Sequence, residues 1–178
     1  MVYSNEVNPE DETTHKMRFT LPKSARLHHQ SLIDRLFLQR NNLYDYPLRL
    51  SWRALSDQEL ADNFRSYVPQ GIGPVQIMVS VPKKKRRHAV DRVRLRRLVR
   101  EAFRLQCHPL KKMVENSPDI RTLSIAFIYL DKDDSDFHTI YSKIGKLLVR
   151  LEKRLAEARQ QEDSDSPTIP NFQERALN

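Results

Sequence analysis

A mixed α/β fold in two layers, with helices on one face of a small sheet and much of the other face open, follows from three features of this sequence. Three segments alternate apolar and polar residues with a period of two, the pattern of half-buried strands. A long segment near the end carries an apolar stripe at helical spacing. None of the three strands reads as a continuous apolar run, which is what helices on both faces of a sheet would require.

The elements follow in chain order. Residues 1–17 carry Glu6, Glu10, Asp11 and Glu12 with little apolar content, and are expected to be a disordered acidic tail. The folded domain is placed at residues 18–159. Leu32, Ile33, Leu36 and Phe37 share one side of a first helix. Leu48, Leu50, Trp52 and Ala54 alternate with Arg49, Ser51 and Arg53 in a strand. A polar connection over residues 56–74 has room for a short helix. The next strand sets Val75, Ile77, Val79 and Val81 against Gln76, Met78 and Ser80, and Pro82 closes it. A helix is expected over residues 90–107. A further strand sets Leu123, Ile125, Phe127 and Tyr129 against Thr122, Ser124 and Ala126. Phe137, Tyr141, Ile144, Leu148, Leu151 and Leu155 mark the last helix. Residues 160–178, with Glu162, Asp163, Asp165, Pro167 and Pro170, read as a second disordered tail.

Charge is the most informative feature of the composition. The 178 residues have a net charge of +8. Residues 83–104 contain eleven Lys or Arg against Asp91 and Glu101, a net +9, and the remaining twenty basic and twenty-one acidic residues give −1. A charge excess confined to one block is the footprint of a polyanionic partner. The single cysteine, Cys107, excludes an internal disulfide and fits a reducing cytoplasm. No apolar run approaches membrane-spanning length, and no membrane partner is expected.

The block divides into a loop and a helix. Lys83, Lys84, Lys85, Arg86 and Arg87 follow a strand with no period of their own. From Asp91, a turn of 100° per residue gathers Leu95, Leu98, Val99, Ala102 and Gln106 into a buried stripe. Arg96, Arg97, Arg100 and Arg104 lie opposite, with Arg92 and Arg94 on the flanks. A merely solvated helix face alternates its charges in i,i+4 pairs, and this one does not. Like charges at that spacing cost the helix roughly 1 kcal/mol in total. A polyanion removes that repulsion and gains from counterion release. Arginine adds bidentate phosphate contacts and base stacking that lysine lacks.

Enzyme signatures are missing. The three glycines form no phosphate-cradling loop, the six histidines are dispersed, and no nucleophile–base pair is visible. Asp131, Asp133, Asp134 and Asp136 read as a solvated turn capping the last helix, with a divalent-cation site as the alternative. The chain is expected to be non-catalytic by itself and to hold no cofactor of its own.

The run over residues 79–84, Val-Ser-Val-Pro-Lys-Lys, and the run over residues 89–103 with its arginine-rich helix resemble the bacterial ribonuclease P protein family. So does the segment Phe19, Thr20, Leu21, Pro22, Lys23, Arg26 and Leu27, followed by Ile33, Leu36 and Phe37. One departure stands out. The family's Arg-Asn-Arg motif reads Arg92-Val93-Arg94 here, and a valine cannot make the hydrogen bonds of an asparagine. The resemblance implies an αβββαβα domain like the second domain of ribosomal protein uS5, with a left-handed strand–helix–strand crossover. It implies that the protein assists a catalytic RNA, which uses magnesium to remove the 5′ leader of precursor tRNA. Lys83, Lys84, Lys85, Arg86, Arg87, Arg92, Arg94, Arg96, Arg97, Arg100 and Arg104 would bind RNA. Ile33, Phe37, Arg49, Ser51, Arg53, Gln76 and Ser80 would line a groove for the leader. The main alternative is a structural RNA binder of ribosomal-protein type. A membrane-surface or calmodulin-type helix would need a free apolar face, and a helix-turn-helix DNA binder would need a second short helix before the basic one.

Overall fold

The computed structural model describes residues 21–38, 41–64 and 67–164, with backbone alone for 159–164. The tail expected over residues 1–17, Phe19 and Thr20 lie outside the described residues, as does the chain beyond Ser164. After a short 3-10 turn at Lys23–Ala25, the elements run α1 (Gln30–Leu38), β1 (Asn42–Asp45), β2 (Leu48–Leu55), α2 (Asp57–Phe64) and β3 (Val75–Ser80). They continue with α3 (Ala89–Gln106), α4 (His108–Glu115), β4 (Thr122–Tyr129) and α5 (Phe137–Ser164). Without α2 and α4 this is the expected order αβββαβα. α5 continues into the segment from Gln160 that the sequence alone assigns to a tail.

The four strands lie in the order β1-β2-β4-β3, antiparallel except for the parallel pair β3–β4. Strand β4 is central, and all eight of its residues are buried, including the small ones on its second face. The apolar face carries the main core. Leu48, Leu50, Ile77, Ile125 and Phe127 meet Leu95, Val99 and Phe103 of α3 and Ile144, Leu148 and Leu151 of α5. Each such side chain contributes roughly 1.5–3 kcal/mol by leaving water. Phe103 and Phe127 meet edge to face, with ring centroids 5.8 Å apart.

The second face, expected to be largely open, is divided. A smaller cluster joins Leu32 and Leu36 of α1, Leu60 of α2, Leu55, Ile72 and Ala126, with Ile33 and Met78 packed against it. Helix α2 starts on a capping box: the Glu59 amide donates to Ser56 Oγ (3.2 Å), and the Ser56 amide donates to Glu59 Oε2 (3.1 Å). Asn63 Nδ2 donates to Ser31 Oγ across the α1–α2 contact (3.0 Å). The chain then returns through Gly73, whose amide donates to Ser24 O at 3.1 Å. A Cβ at Gly73 would stand 2.9 Å from that same oxygen, so no larger residue fits without displacing backbone.

Candidate nucleic-acid interface

Helix α3 is held by Leu95, Val99, Ala102 and Phe103, which are buried, and its other faces point away from the core. Arg94, Arg97 and Arg100 are exposed, and Arg92, Arg96 and Arg104 are partly so. The guanidiniums do not all play one role. Arg92 Nη1 donates to the carbonyls of Arg86 (2.9 Å) and Arg87 (2.6 Å), fixing the loop of residues 83–87 to the start of α3. Arg86 turns inward, its side chain only 14% exposed, and pairs with the Asp134 carboxylate while Nη1 donates to Lys132 O (2.6 Å). Arg94 stands 3.8 Å from the same carboxylate. Arg104 is engaged by Glu101 on its own helix. Arg86, Arg92 and Arg104 therefore shape the surface.

Arg96, Arg97 and Arg100, with Lys83, Lys84 and Arg87, make no ion pair with a described carboxylate. Partial burial, reinforced by the charges of Arg96, Arg26 and Arg97, holds the Arg100 guanidinium below its ordinary value. Arg26, in the segment before α1, thus adds its charge to those felt at Arg100. Val93 is 37% exposed and, with Val90, Arg94, Arg97 and Leu98, lines a shallow 450 Å³ depression on α3.

The second sheet face is best described in rows across the strands. One row is Arg53–Ser124–Gln76 and the next is Asn42–Ser51–Ala126–Met78. Both lie under α1. Gln76 is fully buried and donates from Nε2 to Ser24 O (3.1 Å), and buried Ser51 donates to Asn42 Oδ1 (2.5 Å). Arg53 is 11% exposed, bonded to Glu59 Oε1 (3.2 Å) and Arg35 O (3.4 Å). These three expected groove residues are occupied within the protein, a correction forced by α1 and α2. The row beyond, Tyr44–Arg49–Ile128–Ser80, has no residue in the α1–α2 cluster. Tyr44 is exposed, Arg49 and Ser80 are partly exposed, and Ile128 is a buried floor. At 100° per residue, Ser31 and Ile33 lie on opposite flanks of α1. Ser31 faces α2, so Ile33 and Phe37 line the flank turned toward this open row, and Phe37 is 43% exposed.

The carboxylates after β4 act in the turn. Asp136 Oδ1 caps α5 by accepting from the Thr139 amide (2.9 Å), and Asp131 accepts from the amides of Lys132 (2.6 Å) and Asp133 (3.2 Å). The Tyr46 hydroxyl and these amides hold the Asp131 carboxyl below its usual range. Among the described residues, no three His, Cys, Asp or Glu side chains are grouped to hold a metal ion, and no helix is long and apolar enough to cross a membrane.

The sequence profile of the family Ribonuclease P matches residues 21–152 of this chain. The chain belongs to the ribonuclease P protein family. It is 34% identical over 133 residues to the ribonuclease P protein component of Porphyromonas gingivalis strain W83, covering 75% of this chain and 87% of that one. With the ribonuclease P protein component of Chromohalobacter salexigens it shares 35% identity over 100 residues, 56% of this chain and 69% of the other. Among solved structures, the RNase P protein of Staphylococcus aureus aligns at 18% identity and a TM-score of 0.47, over 71% of this chain and 94% of that one. That of Thermotoga maritima aligns at 22% and 0.46, over 70% and 96%.

As a ribonuclease P protein, the chain is a component of a tRNA-processing ribonucleoprotein endonuclease with an RNA partner. Its geometry suits that partnership. The guanidiniums of Arg96, Arg97 and Arg100, which meet no carboxylate among the described residues, are of a kind that can take phosphates bidentately.

Proposed function

We propose that the protein docks on the RNA subunit of ribonuclease P through α3 and residues 83–87, and that the open row of the sheet beside α1 holds the 5′ leader of precursor tRNA. The observation that carries this reading is the set Arg96, Arg97 and Arg100, partly or fully exposed cations on one helix that meet no carboxylate among the described residues. On this reading hydrolysis of the phosphodiester falls to the RNA subunit in the cytoplasm, where bound magnesium would supply the activated water. The nucleophile and the general base then come from the RNA subunit and its solvent, not from the protein. It contributes phosphate contacts that fix the RNA's position and a groove selecting single strand over duplex.

Reconstitution with the RNase P RNA of the same organism, at magnesium too low for the RNA alone, tests the proposal. Addition of the protein should restore cleavage of precursor tRNA at the mature 5′ end, and protein alone should cut nothing. A protein that bound the RNA without changing cleavage would instead be a structural RNA binder.

A further inference from the structure

The edge strand β1 carries an aromatic residue that no sequence motif singles out. Tyr44 lies opposite Arg49, which lies opposite Ile128, which lies opposite Ser80, so the four form one line across all four strands. At 4.7–4.9 Å per strand gap the line is about 14–15 Å long. Its neighbour Leu43 is buried in the main core, so Tyr44 points to the opposite, α1-bearing face. Tyr44 is 55% exposed.

The strand under this ring is held firmly for so short an element. Arg150 of α5 donates from Nη1 to Tyr44 O at 2.9 Å, and Lys143 of α5 pairs with Asp45 at 2.7 Å. Both contacts lie on the C-terminal side of the Tyr44 Cα, one at its own carbonyl and one at the Asp45 carboxylate, and they leave Tyr44 itself exposed. Beside it, the Nε of Arg49 is buried without a hydrogen-bond partner among the described residues. A ring on a short edge strand next to the partly exposed Arg49 matches what a nucleotide presents, a flat base and an anionic backbone.

We infer that Tyr44 is a base-stacking residue, and that the single-strand track of this protein runs across the strands from Ser80 over Arg49 to the β1 edge. The inference rests on the proposed leader-binding role and gives it a direction. α1 and α2 close the rows containing Arg53, Gln76 and Ser51, so the strand passes along the remaining row and leaves the sheet over Tyr44. A nucleobase of the leader stacks on the phenol ring, and Arg49 meets the adjoining phosphate.

The test uses the reconstituted holoenzyme and two fluorescent RNAs, precursor tRNA with its leader and mature tRNA. Wild-type protein should bind the precursor more tightly. Tyr44→Leu keeps bulk and strand propensity but removes the π face, and should lower precursor affinity about 5- to 100-fold, the range for one lost stacking contact. Tyr44→Phe should restore it to within about twofold, since stacking needs the ring and not the hydroxyl. Mature tRNA should bind all three alike. A Tyr44→Leu holoenzyme with the wild-type precursor affinity overturns the inference, and so does an equal loss for mature tRNA. A wild-type holoenzyme that binds both RNAs equally overturns the leader-binding role itself. Circular dichroism of each variant shows whether the sheet is intact, and if the leucine variant does not fold, Tyr44→Thr, which also suits a strand and has no ring, takes its place with the same expected loss.

Discussion

Replacing Asp134 with alanine sets two physical effects against each other, and their sizes decide the sign of the outcome. Asp134 sits beside the basic loop, pairing with Arg86 and lying near Arg94. If the carboxylate only repels RNA, its removal adds attraction of about 0.4–0.8 kcal/mol for a phosphate some 5–10 Å away in water. The carboxylate also ties residues 83–87 to the turn after β4. Without it, Arg86 is left largely buried with only the Lys132 carbonyl. Each loop residue set free must be ordered again on binding, at about 1–2 kcal/mol. Two such residues outweigh the electrostatic gain, leaving RNA binding weaker by about 1–3 kcal/mol, roughly 5- to 150-fold. Folding stability should fall by about 1–2 kcal/mol, less than for a fully buried pair because Asp134 is half exposed. The assay is filter binding to the RNase P RNA across a salt series, with Asp133→Ala as the control. Asp133 makes the same change in charge and its carboxylate ties no part of the loop, so that variant should bind slightly more tightly. If Asp134→Ala also binds more tightly, the loop needs no tether and the reasoning is wrong.

Three further outcomes follow from the same geometry. Arg96→Ala and Arg100→Ala should each weaken RNA binding by about 1–3 kcal/mol. Each should also flatten the dependence of log K on log salt by up to about one unit, with melting temperature unchanged; a salt series reads both. Arg53→Ala should destabilise the fold by about 1–3 kcal/mol in urea titration, through the lost bonds to Glu59 and Arg35 O, and a double-mutant cycle with Glu59→Gln should show coupling. Phe37→Ala should lower affinity for leader-bearing precursor by about 1–3 kcal/mol with little loss of stability, and a matching stability loss would place Phe37 in the core instead.

The parts of this fold that are legible in sequence are those whose partners are periodic neighbours. The alternation from Leu48 and from Val75, the stripe on α5 and the buried face of α3 each repeat often enough to reveal a period. Strand β1 has four residues, too few for a pattern. Helix α4 shows only Leu110 and Val114 as buried, behind a proline in its first turn. Helix α2 did have a local signal, the Ser56–Glu59 capping box, inside a stretch otherwise read as connection. What no local pattern conveys is long-range closure. Gln76 alternates like an exposed strand residue, yet its partner is Ser24, and Arg53 reads as a groove cation until α2 brings Glu59 to it. The basic block is legible as charge but not as roles, because inward-turned Arg86 and outward-turned Arg100 look the same in sequence.

The two ends of the sheet bear on the life of the protein before it meets RNA. Unpaired strand edges invite a second sheet to add on, a route to aggregation. At one end β1 is only four residues long, and Arg150 already occupies a carbonyl there. At the other, the chain at Arg26 and Leu27 lies along β3 and the Leu27 amide takes the Ile77 carbonyl. Both margins are thereby shortened as templates, β1 by its length and β3 by the bridge at Ile77, which lowers the tendency of a newly made copy to stack on its neighbours before it meets RNA.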